Sequence, residues 1–217
     1  MRAPWAVVCD FDGTATVEDL GDGVSIRFAG YRHWRESEDL FKTGAFPFSV
    51  LLSRIFEPIT ASREEIAAFA REQAALRPGF DRLVAGCREA NRPFVICSAG
   101  LDAYIEPVLD RLAPELRAHL DVRCNRATCS STGLQVEFHG AGAGCGQCGF
   151  CKGPVVKELQ AAGHKVVFCG DGTADRCAAE AAEVVFARRS LVTYCESKGI
   201  PFHPFETFDE VIAAFPQ

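Results

Sequence analysis

The chain has 217 residues, 24% of them charged, and a net charge of −6 at neutral pH. That length allows one well-buried core with an inserted lobe, and an acidic balance without any Lys/Arg run sets aside nucleic acid and anionic membrane as main partners. No apolar run approaches the ~20 residues needed to span a bilayer, and the N-terminus lacks a charged-then-apolar leader, so the expected location is the cytoplasm.

The first element, WAVVCDF (5–11), reads as a strand buried on both faces, and the turn residues Gly13 and Thr14 end it. Asp10 and Asp12 therefore stand at its C-terminal edge. Two residues apart on extended chain, they point the same way, and like charges held so close call for a cation between them. Taken alone, the stretch reads equally as an Asp-Gly turn in a solvated loop.

Residues 17–78 read almost entirely as helix and turn, with Thr60 or Ser62 and a downstream Glu64 or Glu65 marking the start of the last helix. Placed between the first and second strands, this segment is expected to be a helical cap. It is rich in aromatics (Phe28, Tyr31, Trp34, Phe41, Phe46, Phe48), which suits either an apolar substrate tail or plain core.

DRLVAGCREAN (81–91) then reads as helix, PFVICSAG (93–100) as a strand ending at Ser98, and AYIEPVLDRLA (103–113) as helix. VRCNRATCSSTGLQVEF (122–138) reads as a hairpin turning at Ser130 to Gly133, followed by the Gly- and Cys-rich HGAGAGCGQCGFCK. Lys152 opens a helix over 153–163, KVVFCGDG (165–172) is a strand followed by Asp171 and Asp175, and EVVFA (183–187) is a further strand. The alternation predicts an α/β fold: an open, doubly wound parallel sheet built from residues 1–16 and 79–217, capped by 17–78.

In such a sheet the C-terminal strand ends face one crevice, which gathers two carboxylates, a hydroxyl, a lysine and two further carboxylates. DFDGT, ICSAG, CKG and GDGTAD, in that order, resemble the motifs of the haloacid dehalogenase-like phosphatases, whose core they cover over the whole chain. The resemblance implies that Asp10 is the nucleophile of a phosphoaspartate, and that Asp12 protonates the leaving oxygen and later activates water. It implies that Ser98 and Lys152 bind the phosphoryl group. It also implies that Asp171, with Asp10 and the backbone carbonyl of Asp12, holds Mg²⁺, with Asp175 in support. Phosphoryl transfer wants such a set, because it is mainly positioning and charge stabilisation; the backbone of Ser98, Ala99 and Gly100, read as a helix start, would complete the cradle.

The helical insertion after the first motif is similar to the cap of the phosphoserine phosphatase-like branch. Within that branch the nearer resemblance is to the methionine-salvage phosphatases, carried by the Cys-rich run before Lys152, by VVFARRSLVTYCESKGIPFHPFETF (184–208) and by Asp19. Phosphoserine is the runner-up substrate. It is weakened by Ala174, where that family has Asn in GDGxND, and by Asp19, near a position where it has Glu. Asp19 and Arg54 are the candidate substrate-binding residues of the cap, and the partner expected is a small phosphorylated metabolite.

Of the eleven cysteines, Cys9, Cys97 and Cys169 lie in strands as small hydrophobes, whereas Cys145, Cys148 and Cys151 form C-x2-C-x2-C. With Cys129, Cys124 or His139 as a fourth ligand they would make a tetrahedral Zn²⁺ site; otherwise the segment is a reduced, flexible loop. A non-catalytic redox or iron–sulfur carrier is the competing class, and it leaves the carboxylates, Ser98 and Lys152 without a role.

Overall fold

A computed structural model describes residues 4–139 and 144–216, so part of the Gly-rich run (140–143) lies outside the described residues. Its strands are β1 (Trp5–Cys9), β2 (Phe94–Leu101), β3 (Leu120–Ser130), β4 (Gly133–Glu137), β5 (Lys165–Gly170), β6 (Val184–Ala187) and β7 (His203–Pro204). They form one sheet in the order β4-β3-β2-β1-β5-β6-β7. All neighbours run parallel except the β3–β4 hairpin. β1 is the central strand, and Ala6, Val7, Val8 and Cys9 are fully buried, as an uninterrupted apolar run requires when helices cover both faces.

Five helices stand between β1 and β2, the first four being α1 (Leu20–Phe28), α2 (Tyr31–Lys42), α3 (Phe48–Phe56) and α4 (Arg63–Gln73). Ser62, not Thr60, starts α4: its Oγ accepts from the Glu65 N–H at 3.2 Å while Glu65 accepts from the Ser62 N–H at 2.8 Å. Next come α5 (Phe80–Glu89) before β2, and α6 (Asp102–Leu109) and α7 (Pro114–Arg117) after it. Then follow α8 (Gly153–Ala161) before β5, α9 (Arg176–Ala179) after it, α10 (Arg189–Lys198) after β6, and α11 (Phe208–Ala213) after β7.

Two sequence readings are corrected here. The helix expected over 103–113 ends at Leu109: beyond it the N–H groups of Arg111 and Leu112 reach back only three residues, to Val108 and Leu109, and Ala113, before Pro114, is extended at ψ 138°. Ser98, Ala99 and Gly100 are not a helix start. They lie inside β2, which keeps its pairing with β3 through Leu101 and Asn125 beyond an irregularity, so α6 begins only at Asp102.

The hairpin turns between Ser130 and Gly133, as its sequence predicts, and its tip reaches the helical segment: the Leu134 N–H donates to the Glu57 carbonyl at 3.2 Å. No helix among the described residues is long and apolar enough to cross a membrane.

Candidate active site

Asp10 leaves the buried end of β1, and the chain turns sharply through Phe11–Ala15. Gly13 makes that turn at φ 70°, and a Cβ there would lie 2.5 Å from Asp171 Oδ2, so the position tolerates no side chain. The turn leaves carbonyls without helical partners. Buried Arg77 supplies them, donating to the carbonyls of Gly13 (2.9 Å), Thr14 (2.8 Å) and Thr16 (2.9 Å). One cation thereby fixes the loop that carries both motif aspartates.

Lys152, at the start of α8, is 1% exposed. Its Nζ donates to Asp10 Oδ1 at 2.5 Å and to Asp175 Oδ1. The other oxygen of Asp175 accepts from the N–H groups of Asp171 (2.8 Å) and Gly172 (2.9 Å), so Asp175 shapes the loop after β5 as well as pairing the lysine. Carboxylate oxygens of Asp10, Asp171 and Asp175 lie within 4.8 Å of one another. Burial, with Asp175 adding and Lys152 opposing, raises the Asp10 pKa to about 7. Burial and the charges of Asp10, Asp175 and Asp19 raise Asp171 to about 8. Burial disfavours the Lys152 charge, but the two aspartates more than reverse this and raise its pKa. Three crowded, buried carboxyl groups are a hard-oxygen donor set, and such a set fits a divalent cation.

Asp12 faces the same crevice. Its Oδ2 accepts from the Tyr104 hydroxyl at 2.8 Å and its Oδ1 from the Leu20 N–H at 3.0 Å, which ties it to α6 and to the first helix of the insertion. Burial, then Asp19 and Asp10, raise its pKa well above the ordinary carboxyl range. Ser98 is buried beside it, its Oγ accepting from the Gly100 N–H at 3.0 Å, and Asn125 holds the strand end by donating to the Ala99 carbonyl at 2.8 Å.

These groups line a cavity of about 490 Å³. Asp10, Asp12, Ser98, Ala99, Gly100, Lys152, Asp171 and Asp175 all border it, as does Asp19, which caps α1 by accepting from the Asp22 N–H at 2.9 Å. The inserted helices contribute an apolar patch, Phe41 and Phe48 with Leu51, Leu52, Ile55 and Phe56 of α3, beside the charged Asp22, Glu38 and Lys42. Arg54 is not brought there. It lies on the exposed side of α3, its guanidinium 5.6 Å from the centre of the Phe46 ring, because Leu51, Leu52 and Ile55 take the buried face of the same helix.

Sequence reasoning missed Tyr104, Arg77 and Arg189. Arg189 borders the cavity, adopts φ 46°, and donates to Asp171 Oδ2 and the Val17 carbonyl, each at 3.3 Å. A residue at a strand's C-terminal end, here just after EVVFA, was the available signal. The fourth partner of the cysteine run is also corrected. Cys124 and Cys129 lie on β3 and His139 beyond β4, whereas the thiol that joins Cys145, Cys148 and Cys151 is that of Cys177.

Acidic side chains from two parallel-strand ends, closed around one buried lysine and roofed by inserted helices, define a hydrolase of phosphate esters. Residues 7–180 match the family model described as haloacid dehalogenase-like hydrolase. The chain belongs to that family, and it is a phosphatase.

Among curated proteins it is 32% identical over 213 residues to a 2-hydroxy-3-keto-5-methylthiopentenyl-1-phosphate phosphatase of Exiguobacterium sibiricum, covering 95% of this chain and 94% of that one. It is 30% identical to the protein of the same name from Bacillus pumilus, over 100% of this chain and 93% of that one. Among solved structures, a phospho-aspartyl intermediate analogue of phosphoserine phosphatase matches with a TM-score of 0.72 at 13% identity, over 100% of both chains. A haloacid dehalogenase family hydrolase from Salmonella enterica serovar Typhi matches with a TM-score of 0.74 at 16% identity, over 98% of this chain and 71% of that one. The structural matches carry the fold alone.

Proposed function

We propose that the chain hydrolyses 2-hydroxy-3-keto-5-methylthiopentenyl 1-phosphate through a phosphoaspartate on Asp10. The observation that carries this reading is the apolar patch of α3 bordering the same cavity as the Asp10–Lys152 pair, in a chain whose curated relatives bear that substrate's name. A carboxylate of Asp10 attacks phosphorus while Asp12, kept protonated by its surroundings, gives its proton to the departing alcohol oxygen. Now ionised, Asp12 takes a proton from the water that opens the phosphoaspartate, which returns both aspartates to their starting states. Lys152 and Ser98 offset the charge on the phosphoryl oxygens, with backbone N–H groups at Ala99 and Gly100 beside them.

Asp10 and Asp171 would hold Mg²⁺ together with the Asp12 carbonyl, while Asp175 supports that loop; when bound, the ion supplies charge stabilisation to the transferring group. The residues 17–78 act as the selecting cap. Burying the methylthio tail against Leu51, Leu52, Ile55 and Phe56 is worth roughly 1.5–3 kcal/mol, or about 10- to 150-fold in kcat/KM. Phosphoserine has no apolar tail to bury against those four side chains.

The test compares phosphate release from the methylthio compound, its analogue lacking the methylthio group, and phosphoserine. A preference of at least about tenfold for the first over each of the others is expected from the buried area. Equal turnover of all three would remove the proposed substrate and leave a general phosphatase.

A further inference from the structure

The four thiols noted above do not border the substrate cavity, and the reaction makes no use of them. Cys145, Cys148, Cys151 and Cys177 have Sγ atoms that all lie within 4.8 Å of one another, and Cys148 and Cys151 are buried. Cys145 Sγ is 3.1 Å and Cys177 Sγ 4.0 Å from Cys148 Sγ. With Zn–S bonds of about 2.3 Å, the edges of a tetrathiolate tetrahedron are about 3.8 Å, so small movements of these sulfurs close a regular site.

The donor set is all sulfur, which favours zinc over the hard cations suited to the carboxylates. Around the cluster the packing is tight: a Cβ on Gly153, the first residue of α8, would lie 3.1 Å from the Cys177 carbonyl oxygen. Three of the thiols come from the loop before α8 and the fourth from α9, from segments that the sequence holds apart but the fold brings together.

We propose that Cys145, Cys148, Cys151 and Cys177 bind one Zn²⁺ as four thiolates, and that this ion clamps the segment bearing Lys152 to the segment bearing Asp175. Binding releases the four thiol protons to solvent and changes no oxidation state. Lys152 directly follows Cys151, and Asp175 lies two residues before Cys177, so each member of the Lys152–Asp175 ion pair is tethered beside a zinc ligand. The ammonium that meets Asp10 is thus positioned from outside the substrate cavity. The cysteines are positioning residues, since none of them borders that cavity.

The metal half of the proposal stands on the thiol geometry alone; the rate half rests on the reading of Asp10 and Lys152 given above. The full chain, purified under reducing conditions and washed with a chelator, is analysed for zinc. About one equivalent is expected in the wild type and in Cys129→Ser, and below about 0.2 in Cys148→Ser and Cys177→Ser. Cys177→His, which keeps a zinc donor, retains the ion and guards against a serine variant that fails to fold.

Loading the wild type with Co²⁺ gives the intense visible bands of a tetrahedral thiolate complex. Zinc below about 0.2 equivalents in the wild type, full zinc in Cys177→Ser, a Cys145–Cys148 disulfide on thiol counting, or the absorption of an iron–sulfur cluster would each overturn the site. In zinc-free but folded Cys177→Ser, kcat falls by about 10- to 100-fold with KM little changed, since a shift near 1 Å in a catalytic group costs on the order of 10²-fold. An unchanged kcat there would overturn the clamp even if zinc is bound.

Discussion

Tyr104 gives its hydroxyl proton to Asp12 across 2.8 Å, although 92 residues separate the two in sequence. The bond favours the ionised carboxylate, against the burial that raises the Asp12 pKa. Removing the donor therefore raises that pKa further. In the proposed reaction Asp12 enters protonated, so the high-pH limb of kcat/KM should move to higher pH in Tyr104→Phe, while the loss of orientation should lower the rate by up to roughly tenfold at neutral pH, the value of one neutral hydrogen bond. A pH–rate profile of the two enzymes checks both. A limb that stays in place or moves to lower pH would contradict the role of Asp12 as acid.

The two motif aspartates separate by leaving group. Asp10→Asn abolishes turnover, since an amide is a poor nucleophile and removes a ligand charge. Asp12→Asn keeps substrate binding and loses about 10²- to 10⁴-fold on alkyl phosphates, with a much smaller loss on aryl phosphates, whose leaving groups need no proton. Equal losses on the two classes would remove the acid role.

Arg77 bears on stability rather than chemistry. Its guanidinium serves three carbonyls of the turn that carries Asp12, and Arg77→Met leaves those of Thr14 and Thr16 without a side-chain donor, while Gly13 keeps the Arg188 guanidinium at 3.3 Å. Denaturant unfolding should show a loss of about 3–5 kcal/mol, well above the effect of an ordinary surface arginine.

Asp22 supplies a pH test of the cap. Burial, then the charge of Asp19, raise its pKa from 3.8 to about 7 despite the bond it accepts from the Trp34 indole at 2.7 Å. The folded chain therefore binds this proton more tightly than the unfolded chain, so the carboxyl costs stability as pH rises from about 4 through 7. Asp22→Asn, which keeps an acceptor for Trp34, should melt at higher temperature than the wild type at pH 8 and equally below about pH 4. The difference is at most about 4 kcal/mol, taking one pKa unit as about 1.4 kcal/mol.

Chelation separates the two metals. A brief chelator treatment should abolish phosphatase activity, and Mg²⁺ alone should restore it while any zinc on the proposed cysteine site stays constant, because the carboxylates border the cavity whereas two of the four thiols are buried. Restoration that required zinc as well would show that the brief treatment strips the cysteine site too.

The strand ends were legible because a buried parallel strand writes itself as a continuous apolar run, and a polar residue that interrupts such a run is conspicuous. Asp10, Ser98 and Asp171 were found in that way, and Lys152 and Asp175 by their places around the last of these strands. Tyr104 was not, since a tyrosine inside an amphipathic helix has the same pattern whether it fills core or meets an acid. Arg54 misled for the same reason: its helix is amphipathic, and periodicity alone does not say which face turns toward a cavity. Cys177 was within reach. Once Lys152 and Asp175 are expected to meet, their sequence neighbours Cys151 and Cys177 must approach too, whereas Cys124, Cys129 and His139 are nearer to the run only in sequence.

Helix α3 is fastened at both ends to segments outside the insertion. At its start the Phe48 N–H donates to the Gln147 carbonyl at 3.1 Å, and just past its end Glu57 accepts from the hairpin residue Leu134. The apolar patch that borders the cavity is therefore held by main-chain hydrogen bonds to the hairpin and to the loop that leads into Lys152. In the proposed reaction that fastening sets a length limit, and a substrate longer by one methylene is expected to lose about 1–3 kcal/mol of discrimination.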